Sequence, residues 1–205
     1  SANVKRTAVE YLPLTTGSPI ALYGLVKKVE VFDTGLSTVI KKVETDYLLT
    51  KGYTDRNIIG LPSETRAWGK NDLTQNLEQV SRVTYGYDEG TFSQEPNQII
   101  APTRHDTANY GSAFTKRGNL TSTTRHDVTG QTSAVTSQVR YDIAGSPVAQ
   151  IDPLGRKVRI GYTDDFQPSQ SFTTFAYPTT ITDPAGSSLG DTLHSSTVKY
   201  RYDIG

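Results

Sequence analysis

The stretch that decides the fold is residues 140–156, RYDIAGSPVAQIDPLGR. It places a turn signal on each side of a short apolar run. In the first signal, Asp142 can accept a hydrogen bond from the backbone two residues on, and Gly145 supplies a positive φ. In the second, Asp152-Pro153-Leu154-Gly155 has the composition of a type I turn, with Asp first, Pro second and Gly fourth. These signals predict two tight turns around one strand, residues 147–151.

Strands with two-residue alternation surround these turns. Apolar and polar residues alternate through residues 134–143, and a further short strand, 156–162, follows the second turn. The window 134–163 therefore predicts a three-stranded antiparallel meander. The same alternation runs through residues 80–87 and 197–204. In all three alternating strands a Tyr closes the strand and an Asp follows it.

Upstream, turn residues again separate apolar runs. Asp33-Thr34-Gly35 divides residues 25–32 from 38–47, which predicts a hairpin. A turn region at residues 57–60 precedes a predicted strand, 61–68.

The remaining polar stretches predict loops. Residues 71–79 are the best helical candidate, but they are polar and short, so we expect an exposed loop there and at residues 187–196. No linker is dense enough to divide the chain, and we expect residues 1–205 to be a single segment.

The composition excludes several classes of function. With 21 basic and 21 acidic residues, the chain lacks the charge needed to bind nucleic acid or an anionic membrane. No apolar run approaches the ~18 residues of a membrane span. Without Cys there is no disulfide, zinc-thiolate site or thiol nucleophile. Since the chain also contains no Met, we expect it to be an internal fragment of a much larger protein.

The amino-acid usage favours an all-β fold. Hydrophobic residues make up 35% of the chain, and the sequence is rich in Thr, Val, Ile and its 12 Tyr. Apolar residues show no sustained helical period. A low apolar fraction with many strand-forming residues is typical of sheets that expose one face to solvent.

Several motifs recur along the chain. Tyr141-Asp142 returns as Tyr87-Asp88 and Tyr202-Asp203, while Asp-Pro-x-Gly occurs at residues 152–155 and 183–186. The spacing of these motifs is irregular, which suits a winding sheet better than identical solenoid coils.

These residues resemble RHS/YD-repeat proteins. The best match is residues 140–166, with weaker echoes at 53–62 and 118–121. His105-Asp106 and His126-Asp127 depart from the pattern because His stands where Tyr is usual. The motif residues, to which the resemblance assigns a structural role, are Tyr87, Asp88, Arg140, Tyr141, Asp142, Gly145, Asp152, Pro153, Gly155, Arg156, Tyr162, Asp183, Pro184, Gly186, Tyr202 and Asp203.

The resemblance implies a long β-ribbon that spirals into a hollow shell. In bacterial relatives the shell encloses a toxic polypeptide until delivery, and in animal relatives it belongs to adhesion receptors. It therefore implies a secreted or cell-surface, non-enzymatic segment without cofactor or metal. The implied partners are the adjacent YD-repeat strands and an enclosed toxin polypeptide. Because the neighbouring strands are missing from the isolated chain, we also expect its sheet edges to self-associate.

Other readings of the same residues stay open. Aromatic-Asp pairs could bind sugars, as in an extracellular adhesion or carbohydrate-binding β module, although Tyr packing and Asp-capped turns explain them more simply. Asp164 and Asp165 point to opposite faces of a strand, so they do not flank one glycosidic bond. The two Arg-His-Asp sequences could hold a metal, but His at equivalent repeat positions is more simply an aromatic substitute for Tyr.

Overall fold

The computed structural model describes residues 5–13, 24–35, 37–90, 104–162, 177–183 and 195–197. Within those residues the chain forms eleven β-strands and two single-turn helices. Hydrogen-bonded neighbours follow chain order, and the described strand pairs are antiparallel. The expected all-β fold, an antiparallel meander of hairpins, is confirmed. The strands are β1 Thr7–Tyr11, β2 Val26–Phe32, β3 Val39–Tyr47, β4 Pro62–Lys70, β5 Leu77–Tyr87, β6 Leu120–His126, β7 Val135–Tyr141, β8 Pro147–Ile151, β9 Lys157–Gly161, β10 Thr180–Thr182 and β11 Ser195–Thr197, and the helices are α1 Lys51–Thr54 and α2 Thr107–Tyr110.

The meander predicted for residues 134–163 is present as β7, β8 and β9. Arg140 pairs with Ala149, and Ala149 pairs in turn with Arg159. The register shifts between Arg140 and Tyr141, where β7 meets the turn. The upstream hairpin is also confirmed, since β2 pairs with β3 through Val29 and Val43.

Two details of the sequence prediction are wrong. The loop expected at residues 71–79 is shorter, because β5 already begins at Leu77. The loop expected at 187–196 ends in β11, which begins at Ser195, and its earlier residues lie outside the described part of the chain. The weak motif similarity at residues 53–62, for which the sequence predicted no strand end, begins in α1.

The chain divides into two compact units. The first comprises Ser1–Gly86 and Thr123–Val135, and the second comprises Tyr87–Ser122 and Thr136–Gly205. Whether residues 1–205 act as one repeat segment stays a prediction.

The first unit contains little core among its described residues. Every described residue of β1 to β5 is exposed or half-buried. The buried side chains lie in α1 instead, where Tyr53 is 2% exposed and its neighbour Thr54 is buried in the same helical turn. The strands of this unit therefore have no second layer within the described residues.

The two faces of the sheet differ in chemistry along strands β1 to β4. On one face, Glu10, Lys28, Glu44 and Arg66 stand opposite one another on successive strands, and the Lys28 Nζ lies 3.0 Å from a carboxylate oxygen of Glu10. The other face carries the neighbouring positions Val9, Val29, Val43 and Ala67. Alternating side-chain direction along each strand produces this charged face and this apolar face.

The described residues of the second unit include a small apolar core. The buried hydrophobic residues among them are Ile143, Val148, Ala149 and Tyr162, which come from the Asp142 turn, β8 and the position after β9. The stretch that decides the fold thus supplies most of this core. Within the described residues, no helix is long and apolar enough to cross a bilayer.

Candidate functional site

The turn after β7 has the geometry that its sequence predicts. The Asp142 Oδ1 accepts hydrogen bonds from the backbone N–H groups of Ala144 at 2.9 Å and Ser146 at 2.8 Å. The Asp142 N–H donates to the Ser146 carbonyl at 2.9 Å, and Gly145 has a φ of +87°. Asp142 therefore closes the hairpin between β7 and β8 with both its backbone and its side chain.

The carboxyl group of Asp142 is fully buried. Its second oxygen, Oδ2, has no hydrogen-bond partner. Burial raises the pKa of Asp142, although the backbone N–H groups of the turn act in the opposite direction. Burial, together with the charge of Asp142, also raises the pKa of Tyr162. Neither Asp142 nor Tyr162 lines the pocket described below, so both residues belong to the core.

The second turn, at Asp152-Pro153-Leu154-Gly155, is also confirmed. The Gly155 N–H donates to the Asp152 carbonyl at 2.9 Å, and Gly155 has a φ of +78°. The Asp152 Oδ1 accepts from the Leu154 N–H at 2.9 Å, and the Arg156 Nε donates to Oδ2 at 2.6 Å. The Arg156 side chain lowers the pKa of Asp152 and ties the turn to the start of β9.

Asp88 closes the turn between β5 and β6, and its partners lie far along the chain. It follows β5 with a φ of +52°, and its N–H donates to the carbonyl of Asn119 at 2.9 Å. Its Oδ2 accepts from the N–H groups of Arg117 and Gly118, both at 2.8 Å, and Oδ1 accepts from the Asn119 N–H at 3.0 Å. Asp88 thus binds the backbone immediately before β6 rather than its own next residues.

The Asp88 and Asp142 turns follow the same plan. Gly118 has a φ of +81°, close to the +87° of Gly145, and each Gly is followed by a residue whose N–H donates to the Asp carboxylate. Residues 89–117 therefore stand where the Asp142 turn has only Ile143 and Ala144, so the Tyr-Asp turn contains an insertion. The weak motif echo at residues 118–121 is the end of that interrupted turn.

Three Tyr hydroxyls make an equivalent contact that sequence reasoning missed. Each donates to the carbonyl of the first residue of the preceding strand. Tyr47 bonds Val26 at 2.9 Å and Tyr141 bonds Leu120 at 2.9 Å, both over 21 residues of chain, while Tyr162 bonds Pro147 at 3.0 Å over 15 residues. These spacings are the signal that could have revealed the contact. Tyr at these strand ends therefore acts as a cross-strand tie.

The two His-Asp sequences differ in the structure. His126 ends β6, and the Asp127 carboxylate accepts a hydrogen bond from the Thr129 hydroxyl at 2.7 Å. It also accepts backbone N–H bonds from Thr129, Gln131 and Thr132 at 2.6–2.8 Å, and the Thr129 hydroxyl together with these N–H groups lowers the pKa of Asp127. This copy is a strand end like Tyr141-Asp142.

The second copy instead begins a helix. Asp106 is the N-cap of α2 and accepts from the Asn109 N–H at 3.2 Å, so His105-Asp106 is not a strand end. Within the described residues, no group of three or more His, Cys, Asp or Glu side chains is arranged to hold a metal ion.

The candidate binding site is a pocket of about 420 Å³ in the second unit, at the mouth of the interrupted turn. Glu89 lies within it, and its Oε2 accepts hydrogen bonds from the hydroxyls of Thr121 and Ser122. The Glu89 N–H also donates to the Thr121 hydroxyl at 3.1 Å. The remaining lining residues are Asp88, Gly90, Asn119, Gln138, Val139, Arg140 and Tyr141.

The pocket brings several of the predicted motif residues together. Asp88 closes the turn, Arg140 and Tyr141 come from the end of β7, and Tyr87 immediately precedes Asp88. Sequence reasoning missed Glu89, Asn119, Thr121, Ser122 and Gln138 because they come from three chain segments. The Asn119 sequon has its Nδ2 buried, so the structure does not present that nitrogen for glycosylation.

The other motif residues lie elsewhere. Asp142, Gly145, Asp152, Pro153, Gly155 and Arg156 are in the two hairpin turns, Tyr162 follows β9 and Asp183 follows β10. Trp68 on β4 is half-buried beneath Lys42, whose Nζ lies 3.8 Å from the ring centre. Outside the described residues lie Asp164, Asp165, Pro184, Gly186, His194, Tyr202 and Asp203.

Comparison with known proteins does not identify a family. No protein-family model matches the chain, and no curated protein matches it either. The resemblance to RHS/YD-repeat proteins therefore depends on the sequence motifs alone.

Proposed function

We propose that this chain is a non-enzymatic structural segment of an RHS/YD-repeat shell, which encloses a polypeptide toxin and helps to deliver it. The observation that carries this proposal is the common plan of its Tyr-Asp turns. At Asp88 and Asp142 a carboxylate closes the turn through backbone N–H groups, and a glycine of positive φ precedes the next strand. Such turns extend an antiparallel ribbon by one strand at a time.

The chemistry of strands β1 to β5 supports a role as part of a shell wall. Its charged face holds ion pairs such as Arg66–Asp46 at 2.6 Å and Arg82–Glu64 at 2.7 Å, which suit contact with water. The opposite face exposes 45% of Val9 and 39% of Val43. An apolar face of this kind needs a neighbouring layer or an enclosed polypeptide to remove it from water.

The polar groups of the motif support a structural rather than a catalytic role. The carboxylates of Asp88 and Asp152 are occupied by backbone N–H groups or by Arg156. A carboxylate that is held in this way is a poor general base for a substrate. The proposed location is outside the cell or on its surface, as in the shell proteins that the motifs resemble.

The whole parent protein provides the test. We expect its reading frame to continue the Tyr-Asp and Asp-Pro-x-Gly alternation on both sides of this segment. We expect electron microscopy of the purified parent to show a hollow particle in which a C-terminal polypeptide resists protease. A reading frame without further repeats, or a solid particle with an unprotected C-terminal polypeptide, would contradict the proposal.

A further inference from the structure

The side chain of Arg117, the last residue of the insertion between β5 and β6, joins two parts of the second unit. Each nitrogen of its guanidinium donates a hydrogen bond to a backbone carbonyl oxygen. Nε donates to Phe114 at 2.9 Å, and Nη2 donates to both Tyr110 and Gly111. Nη1 reaches the carbonyl of Ile143, in the turn between β7 and β8, at 2.7 Å. One side chain therefore binds the end of the insertion and this turn together.

The segment that Arg117 holds is compactly folded. The Phe114 N–H donates to the Gly111 carbonyl at 3.0 Å, so the chain turns directly after α2. The rings of Tyr110 and Phe114 meet edge to face with their centres 5.2 Å apart, and the Arg117 guanidinium lies 5.2 Å from the centre of the Phe114 ring. We call this segment, residues 107–117, the strap.

The main chain of Arg117 is fixed separately from its side chain. The Arg117 N–H donates to the Asp88 carboxylate at 2.8 Å. Ile143, which the guanidinium contacts, directly follows Asp142, and the Asp142 carboxylate closes the other Tyr-Asp turn. Since Asp88 already positions the backbone of Arg117, little further ordering is needed for the guanidinium to reach that turn.

The bond between Arg117 and Ile143 makes the two parts depend on each other. A hydrogen bond from a charged donor is roughly twice as strong as a neutral one. If the strap leaves the turn, the Ile143 carbonyl loses this bond, and if the turn opens, the guanidinium loses it. A coupling free energy between two sites is reciprocal, so each opening promotes the other to the same degree.

We propose that Arg117 couples the strap to the turn between β7 and β8, so that the two open and close as one conformational switch. Tyr110 in the strap is 50% exposed, whereas Asp142 in the turn is fully buried. A molecule that displaces the strap would therefore loosen a turn that it does not reach directly. The proposal concerns contacts within the second unit and would survive the failure of the shell proposal.

Amide hydrogen exchange of the wild-type chain, followed by NMR at low urea concentrations, tests the coupling without a substitution. The Phe114 amide reports on the strap and the Ser146 amide reports on the turn. We expect both to show the same opening equilibrium with the same dependence on urea. The Leu154 amide, held in the turn between β8 and β9, is the internal control and should open independently.

Chymotrypsin provides a second test, because it cleaves after Tyr110 and Phe114 in the strap. Arg117→Lys keeps the charge but replaces the planar guanidinium by a point charge, so it does not keep all of these carbonyl bonds. We expect cleavage in the strap to become about tenfold faster, the effect of losing one hydrogen bond to a charged group. Exchange of the Ser146 amide should become faster as well.

Arg156→Lys is the matched control for this variant. The Arg156 Nε donates to the Asp152 carboxylate at 2.6 Å, within the turn between β8 and β9. Its replacement should leave cleavage after Tyr110 and exchange at Ser146 unchanged.

Strain placed in the turn should act on the strap from the other side. Gly145→Val puts a β-branched residue at a φ of +87°, so the turn should open more often and cleavage after Tyr110 should become faster. Gly155→Val is the control, because Gly155 has a φ of +78° and open space around its added Cβ but lies in the next turn. Cleavage rates are compared after correction for overall stability, which urea denaturation measures.

Three results would each overturn the proposal. In the wild-type chain, the Phe114 and Ser146 amides would open independently. Alternatively, Arg117→Lys would speed cleavage in the strap without changing exchange at Ser146, or Gly145→Val and Gly155→Val would change that cleavage equally. If Arg117→Lys does not fold, the wild-type exchange pattern and the two glycine variants decide.

Discussion

Gly145 is the residue whose conformation decides the turn after β7. Its φ of +87° lies in the left-handed region, while a Cβ added there would come no nearer than 3.9 Å to the Asn119 Oδ1. Backbone strain, not crowding, is therefore the obstacle to a side chain. We expect Gly145→Val to reduce the free energy of unfolding by about 1–3 kcal/mol, as measured by urea denaturation.

The Gly145→Asn variant tests whether the loss of stability comes from backbone strain or from the presence of any side chain at this position. Asn adopts the left-handed region more readily than a β-branched residue, so its loss of stability should be clearly smaller than that of Val. Equal losses in the two variants, or a negligible loss in Gly145→Val, would reject the assignment of strain to this position.

Asp142 should give the protein an unusual pH dependence. Because burial raises its pKa in the folded chain, the folded state binds this proton more tightly than the unfolded state does. The Asp142 contribution is therefore most favourable below its unfolded pKa of about 3.9, and it is lost as pH rises through the raised folded pKa. Asp142→Asn should remove this decline in a series of urea denaturations at increasing pH.

Asp152 is the control for Asp142, because its pKa is shifted in the opposite direction. The Arg156 side chain lowers its pKa, so its favourable contribution is present above the unfolded pKa and is lost as pH falls through the folded pKa. Asp152→Asn should therefore flatten the acid side of the profile only. If both variants change the same limb of the profile, the buried, raised-pKa description of Asp142 is wrong.

The Asp88 turn between β5 and β6 allows a prediction at the scale of an element, because its insertion can be deleted. Deleting residues 90–116 would leave Asp88-Glu89-Arg117-Gly118-Asn119, a turn of the same length as residues 142–146. Because Asp88 already closes on Gly118 and Asn119, we expect the shortened chain to keep its strand content by circular dichroism and to unfold cooperatively.

The same deletion with Asp88→Ala is its control. Without the carboxylate, three backbone N–H groups lose their acceptor, so the shortened variant should then be destabilised by about 2–3 kcal/mol. A shortened chain that fails to fold although Asp88 is intact would show that residues 90–116 are part of the element and not an insertion in it.

Elements were predictable from the sequence wherever their signals were local. The turns at Asp142 and Asp152 are encoded within five residues. Two-residue alternation located β7 closely, and the two turns located β8 between them. The Asp88 turn was only partly predictable from the sequence, because residues 89–117 separate Asp88 from Gly118, the glycine that completes the turn. Helix α1 has four residues, which is too short to show a helical period.

The candidate site was less predictable for the same physical reason. Its lining comes from the end of β5, the start of β6 and the end of β7, and no local pattern joins Glu89 to Gln138. The Tyr141 hydroxyl bond to Leu120 also links separate strands, and sequence reasoning missed it because no local pattern joins the two residues. At the scale of the molecule, the sequence therefore predicted the fold class and the type of turn. The pocket could be identified only from the three-dimensional structure.

The thin core of the first unit predicts how the isolated chain behaves in solution. Val9, Val43 and Val80 are 45%, 39% and 61% exposed, and the strands that carry them have no buried residue among those described. Burying this apolar surface against another copy is favourable by about 25 cal/mol per Å². We expect light scattering to show an apparent mass that rises with protein concentration.

Replacing these three valines by threonine tests whether the apolar face causes the association. Threonine keeps the β-branched shape and the strand preference while reducing apolar surface, so the triple variant should stay folded and associate less. Leu73→Thr is the control, because Leu73 is 94% exposed but lies in the turn before β5; its association should match the wild type. A wild-type chain that is fully folded and monomeric at every concentration would instead identify a self-contained domain, and it would remove the physical reason for expecting neighbouring repeats to cover this sheet.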